Sequence, residues 1–478
     1  MQVIAVMNNN GPINPSREAH QTVTEDWIEV PTPAESIRIG FTDQKVSGRA
    51  GLASFAGFLH WHSLGKVLRQ ALPALPARLG PGRKPLPMED LALGFITGIL
   101  AGAQKLTQVA YLRSDPLVAP LLAIKRVASQ STFTRFFGRF GNAAVNLRSF
   151  RPLWRWALER LPSRRDGYCL DLDSTRLLHE DGHQEGVAVG YTRLGIKPCL
   201  HPLLAVLEEP KLVANFWLRS GNTSCANNVV PFTLETLASL PAQVRLRLVR
   251  ADSGFCDGGW LEQLESQGLH YIVVARLRAP LAGLCRRDTI WQATAVPGTE
   301  AAEIGHREQG WDRERRVILV RHRIEEKDRP GGKKLLDVPG YLFQAFVTNL
   351  PVSVAPIEVW REYNPRAGCE GVIKQLDADF ALDKLCLKGF FATEAAMVLA
   401  IFAYNLCVLF QRHLGCLERV TAATLRFRLF TTGGIISRAN GRTTIRLAVP
   451  TAQRDWWRML FEKTLSPWPN CNSFCPDW

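Results

Sequence analysis

Between residues 168 and 277 the chain places a series of short apolar runs that constrain its fold more than any other feature. They read "YCLDLD", "HPLLAVLEE", "KLVANFWLRSG", "VRLRLVRADSG" and "HYIVVARL". Each is short, rich in branched and aromatic residues, and bounded by turn residues, as strands are. Two helical stretches interrupt them: "GNTSCANNVVPFTLETLASL", and "GGWLEQLESQG" with Gly268 at its end. Strands, then helix, strand, helix, strand is the order of an α/β layer.

On either side the period is different. Residues 1–44 are polar and aperiodic and are expected to be poorly ordered. Residues 45–162 read as a helical domain. Its parts are a helix from Gly51 to about Leu75, a basic Pro/Gly linker at 77–87, and a helix over 88–112 with Glu89 and Asp90 in its first turn. A short helix follows in "ASQSTFTRFFGRF", capped by Ser131 or Thr132, with Arg135 and Arg139 four apart on one face. A last helix carries Trp154 and Trp156 and ends near Pro162. Downstream of the layer at 163–278, residues 279–350 are strand-rich and 351–415 are helical. The region 416–478 holds strand-like "TLRFRLFTT" and "RTTIRLAV" before "DWWRMLF".

The 478 residues carry a formal charge of +14, and a polyanion is the partner such a field fits best, nucleic acid above all. With 46% hydrophobic residues a core can form, and global disorder is excluded. The 11 cysteines are scattered, with no C-x-x-C, so neither a disulfide framework nor a zinc ribbon follows and a reducing compartment is expected. The N-terminus lacks the pattern of a signal peptide. The longest apolar run, Ala395–Phe410, contains Tyr404 and Asn405 and reads as a buried core helix rather than a membrane span.

Three segments place acids where chemistry is possible. Asp171 and Asp173 lie two apart in a strand and so share a face. Asp252 ends another apolar strand at a Ser253-Gly254 turn. Buried carboxylates are costly unless metal or protons compensate them, and functional side chains favour strand ends where loops begin. The third element is "REYNPRAGCEGVIKQLDADF", with Asn364 as N-cap and Pro365 at the first helical position. There Arg366, Glu370, Lys374 and Asp377 fall on one helical face, which a solvated salt-bridged surface would also explain. A rival signal is His179-Glu180-x-x-His183, the zinc-hydrolase pattern. Its two free positions are Asp181-Gly182, a turn dipeptide, so a polar turn is expected there instead of the helix that a zinc site requires.

Taken together these residues resemble the bacterial insertion-sequence transposases of the DDE class, in the DDE domain group-1 branch. The matching features are Asp173-Ser174-Thr175, Arg250-Ala251-Asp252, "NFWLRSGNTSCANN", "YIVVARL", "FFATEAAMVLAIFAYNL", and Tyr363, Arg366 and Glu370 of a Y-x2-R-x3-E-x6-K signature. The signature lysine falls at Asp377; Lys374 lies one turn earlier, and Gly368 and Gly371 interrupt the helix. The resemblance implies an RNase H-like catalytic domain with a β-strand insertion between the second and third acids, preceded by a helical DNA-binding domain. It implies Asp173, Asp252 and Glu370 as catalytic ligands of two Mg²⁺ ions, with Mn²⁺ able to substitute. Tyr363, Arg366 and Lys374 would bind phosphate, and Arg135 and Arg139 would contact DNA. The partners implied are double-stranded DNA, as terminal inverted repeats and target, and a second copy in a synaptic homodimer, with no membrane. The setting implied is the bacterial cytoplasm, at the nucleoid. Two other functions compete: a DNA-binding protein derived from a transposase and impaired in catalysis, and the zinc hydrolase on His179, Glu180 and His183.

Overall fold

The computed structural model describes residues 27–74, 85–180, 183–192, 194–325, 338–416 and 419–466. The chain forms two compact units, Met1–Lys45 and Val46–Trp478. In the first, Ile28–Pro31 pairs antiparallel with Ser36–Ile39. The Thr32 N–H donates to the Glu35 carbonyl at 2.9 Å and closes the turn. Residues 27–44 therefore hold an element where none was expected: β-branched residues flank a turn that threonine can close.

The second unit is built around one mixed nine-stranded sheet. In chain order its strands are β1 (Tyr168–Ser174), β2 (Leu203–Leu207), β3 (Leu212–Trp217), β4 (Leu246–Ala251), β5 (Tyr271–Val274), β6 (Gln292–Ala293), β7 (Thr299–His306), β8 (Arg315–Arg323) and β9 (Tyr341–Thr348). Across the sheet the order is β6-β7-β8-β9-β5-β4-β1-β2-β3. The central pairs β1/β4 and β4/β5 are parallel and the others antiparallel. The reason is in the connections. From β1 the chain makes a small three-stranded antiparallel sheet over residues 177–200 and returns as an antiparallel β2, a tight turn joins β2 to β3, and the helix Gly258–Ser266 carries the chain from β4 over to a parallel β5. The strand-rich stretch after residue 279 is no separate layer: β9 pairs with β5, so β6 to β9 prolong the same sheet.

The apolar run seen in the sequence is the helix Phe390–His413, long and apolar enough to cross a membrane, with 94% of its most apolar window buried inside the fold. It packs on the helices Met88–Leu100 and Ala143–Leu158 and on β3. Asn405 explains its presence in so apolar a helix. Its Oδ1 accepts the Val213 N–H at 3.0 Å and its Nδ2 donates to the Val213 carbonyl at 2.8 Å. Side-chain amide atoms thus satisfy an edge strand that has no further neighbour.

Several local expectations are corrected. The helix expected from Gly51 to Leu75 is two, Leu52–Trp61 and Leu64–Ala71, broken at Ser63 with φ +53°. The helix expected over 88–112 stops at Leu100, before Gly102 with φ +97°, and another spans Leu106–Tyr111. "TLRFRLF" is helical, Ala422–Leu425 and then a π-turn over Arg426–Phe430. Arg426 is the reason: its Nε donates to the Leu100 carbonyl at 2.7 Å and its Nη2 to that of Ile99 at 3.0 Å, satisfying the end of a distant helix. Of the basic linker, residues 75–84 lie outside the described residues.

Candidate active site

The parallel pairing of β1 with β4 sets the site. Leu172 lies opposite Ala251, so the next residues stand side by side at the same level: Asp173, still paired with Leu204 of β2, and Asp252, just past the end of β4. This is the carboxyl end of two adjacent parallel strands, where ligands of open α/β sheets bind. Asp173 Oδ1 accepts the Ser174 N–H at 2.8 Å, and Asp252 Oδ1 accepts the Gly254 N–H at 2.7 Å, starting a 3-10 turn.

Glu370 comes from the helix Ala367–Phe380 and is exposed. Burial, chiefly, pushes the Asp173 carboxyl up to about 6; Arg366 opposes this, and the charges of Asp252 and Glu370 add to it. The three acids are therefore electrostatic neighbours. Among the described residues, however, no three His, Cys, Asp or Glu side chains stand close enough together to hold one ion.

The signature segment differs from expectation at its start. Asn364 is no N-cap: helical structure begins upstream at Pro356–Tyr363, tightens to a 3-10 turn over Asn364–Arg366, and resumes at Ala367. Pro365 accounts for the tightening, because it lacks an N–H and crowds the preceding turn. Gly368 and Gly371 do not interrupt the helix. A Cβ at 368 would lie 2.1 Å from Lys211 Nζ, whereas Gly371 faces open space. Both border a groove shared with Lys374, Lys211 and Arg419.

Arg366 is buried, 6% exposed, and does not reach into solvent for phosphate. Its Nη2 pairs with Asp173 Oδ2 at 3.1 Å and donates to the Leu172 carbonyl at 3.2 Å. Tyr363 packs against Phe346 with the rings tilted by 52° and their centroids 4.9 Å apart, and burial pushes its phenol up to about 12. Lys374 is exposed on the same helix as Glu370. Asp377, at the signature-lysine position, is pushed up to about 7, mainly by burial and further by Asp383.

Asp171 and Asp173 meet different partners. Asp171 lies opposite Arg250 on β4, and the two form a fully buried bidentate pair, Nε to Oδ1 at 2.7 Å and Nη2 to Oδ2 at 3.0 Å. Arg250 Nη1 also donates to the Glu362 carbonyl at 2.6 Å. Asp171 is committed to holding strands together.

Arg135 and Arg139 do not share a helical face. The helix is Gln130–Phe137, with Ser129 at its N-cap and Gly138 at its C-cap, and Arg139 lies in the following turn. Phe133, Phe136, Phe137 and Phe140 are all buried, and this aromatic cluster sets where the chain turns. Of the zinc-like motif, Asp181 and Gly182 lie outside the described residues, and neither His179 nor His183 is in a helix. Glu180 pairs with Lys197 at 3.1 Å.

Sequence reasoning missed one cluster beside Asp173. His201 Nε2 lies 2.9 Å from Ser174 Oγ, which lies 3.2 Å from Cys225 Sγ. His201 Nδ1 stands 2.9 Å from the Thr223 carbonyl and must carry its proton there, so Nε2 accepts from Ser174. Burial pushes this histidine down to about 4, which keeps it neutral. The cluster's members were present in stretches already read, Ser174 after Asp173, His201 opening "HPLLAVLEE" and Cys225 within "NFWLRSGNTSCANN", but nothing local brought them together.

Comparison with known proteins identifies the family. The family model for the transposase DDE domain group 1 matches residues 31–466, and the chain belongs to that family of transposition enzymes. No curated protein matches. A cryo-EM structure of a piggyBac transposase synaptic complex with hairpin DNA is similar over 90% of this chain and 90% of that one, at 14% identity and a TM-score of 0.41.

Proposed function

We propose that this chain cuts and joins transposon ends by metal-dependent phosphodiester hydrolysis followed by transesterification, with Asp173, Asp252 and Glu370 as the metal ligands. The observation that carries the reading is the placement of Asp173 and Asp252 side by side at the carboxyl ends of adjacent parallel strands, with Glu370 in electrostatic reach. The strand order β3-β2-β1-β4-β5 supports an RNase H-like core, with β6 to β9 as the insertion between second and third acids.

The donor set suits Mg²⁺, with Mn²⁺ able to substitute: it consists of hard carboxylate oxygens, and the two aspartates each accept only one backbone N–H. When bound, two such ions supply an activated water and neutralise charge on the phosphate. The protein's own groups do the rest. Arg366 and the Ser174 amide fix the rotamer of Asp173, and the Gly254 amide fixes that of Asp252. Arg366 offsets carboxylate charge beside Asp173 and Asp252, which helps hold these acids in place before any ion arrives. Lys374, with Lys211 and Arg419 across the groove, offers positive charge to a DNA backbone entering beside Glu370. The DNA substrates are terminal inverted repeats and target, and the working form is a homodimer at the bacterial nucleoid.

A second reading, a protein that binds ends without cutting them, is favoured by one observation, the carboxylate at Asp377 where the signature carries lysine. Incubating the full chain with its own terminal repeats and Mg²⁺ separates the two. Nicking at the ends that vanishes in Glu370→Gln, by at least ~10²-fold, with end binding retained, is the expected result. Retention of the DNA with no cleavage under Mg²⁺ or Mn²⁺ would establish the second reading instead.

A further inference from the structure

A cleft of about 350 Å³ that none of the three acids borders is lined by the helix Ala143–Leu158, the edge strand β3, the helix Val229–Ser239 and the start of Phe390–His413. Its walls are aromatic: Phe150, Trp154, Trp217, Phe390 and Phe391. Its floor carries two carboxylates, Glu235 and Glu394, and the amide of Asn146. In a chain of net charge +14 that sign is unexpected, and it turns phosphate away.

The carboxylates are held in place by neutral donors. Glu394 Oε2 accepts from Asn146 Nδ2 at 2.6 Å, and its Oε1 accepts from the Leu218 N–H at 3.0 Å. Glu235 Oε1 accepts from Trp217 Nε1 at 2.8 Å and from Asn215 Nδ2 at 3.1 Å. Burial raises the Glu394 carboxyl, and the charge of Glu235 raises it further. The exposed Arg151 also borders the cleft, with its Nη2 on the Ala238 carbonyl at 2.9 Å.

Asn146 supplies an independent sign that something is missing. It is 4% exposed, and its Nδ2 donates both to Glu394 and to the Phe391 carbonyl at 3.0 Å. Two acceptors on one side fix the orientation of the amide. Its Oδ1 is left buried with no partner. Buried acceptors without partners are rare because desolvation is uncompensated.

We propose that this cleft binds an organic cation, an alkylammonium or guanidinium group on an apolar stem, with Glu235, Glu394 and Asn146 Oδ1 taking its N–H donors and the aromatic rings its stem. Cations sit favourably over aromatic faces. A divalent metal suits the site poorly, since it requires a shell of oxygens and waters where this cleft offers rings. The cation has two sources with the same chemistry: a free polyamine, or a lysine or arginine of a second copy of this chain.

Agmatine, which joins a guanidinium to an ammonium through a butyl stem, is the probe. Calorimetric titration into the full chain without DNA is expected to give saturable binding, at least tenfold weaker in Glu235→Gln and in Glu394→Gln and unchanged in Arg135→Ala. Agmatine is also expected to raise the melting temperature of the parent and not that of Glu235→Gln. This comparison decides the matter even if Glu394→Gln fails to fold. Sedimentation separates the sources. If a second copy fills the cleft, the protein self-associates and agmatine dissociates it; if it is monomeric throughout, the free amine is the ligand. Equal affinity in the parent and the folded variants overturns the proposal. So does the absence of saturable binding together with self-association insensitive to the amine.

Discussion

Asp171 and Asp173 are chemically identical and two residues apart, and the arginine each one meets makes them different. Asp171 and Arg250 are 0% and 1% exposed, and each compensates the other's charge. Asp171→Asn would leave Arg250 charged, buried and without its carboxylate. A loss of ~3–5 kcal/mol in urea unfolding is expected, because breaking a buried pair strands the surviving partner. Asp173 faces the site, and Arg366 compensates it only in part. Asp173→Asn also takes the carboxylate from a buried arginine, Arg366, which keeps the Leu172 carbonyl; it is expected to destabilise less than Asp171→Asn, to keep the affinity for DNA ends, and to lose cleavage. Unfolding midpoints and a nicking assay on both variants check the contrast. Equal destabilisation of the two would refute the division of roles. The sequence showed both acids on one face but not this difference. The partner of Asp171 is set by the register of β1 against β4, a long-range pairing that no local pattern encodes.

The helix Ala367–Phe380 carries an acid whose titration is visible at the scale of an element. Asp377 is raised from 3.8 to about 7, first by burial and then by Asp383 in the turn Leu382–Lys384. The folded state therefore binds more protons than the unfolded chain between those values, and stability falls as pH rises through that window. Asp377→Asn is expected to be more stable than the parent at pH 8 by ~1–2 kcal/mol, reduced from the full shift by solvent screening, with the gap closing toward pH 4. Unfolding at pH 5 and pH 8 measures it, and an equal gap at both would remove the titration from the account. Elements with a strong period were legible in the sequence: β1 to β5 fall inside the runs picked out there, save that β1 extends one residue further to Ser174, β8 and β9 fall in the strand-rich stretch 279–350, and Phe390–His413 contains the apolar run Ala395–Phe410. Elements fixed by a distant partner were not. "TLRFRLF" alternates like a strand, yet Arg426 reaching Ile99 and Leu100 makes it helical. The signature helix was legible in its acid and not in its beginning, because Pro365 tightens a helix already under way.

For the whole molecule, the net charge of +14 sets how binding responds to salt. End binding is expected to weaken steeply between 50 and 200 mM salt, as counterions released from phosphates are restored. The structure separates Arg135, in a helix, from Arg139, in the turn after it, so the pair does not form one reading face. The double Arg135→Ala, Arg139→Ala variant should lower the salt slope by about one for each phosphate that is no longer neutralised. An unchanged slope would place recognition elsewhere, with the groove of Lys211, Lys374 and Arg419 the first place to look.

The order of strands across the sheet also has a consequence in time. A ribosome delivers β1, β4 and their two aspartates well before Glu370, and the helix Phe390–His413 only after that. That late helix supplies the amide that satisfies β3 and the surface on which Met88–Leu100 and Ala143–Leu158 pack. A nascent chain interrupted before residue 370 holds two of the three acids and lacks the helix that closes its core. Under the proposed function, such a chain is expected to leave the nucleic acid around it uncut until Glu370 and that helix have followed.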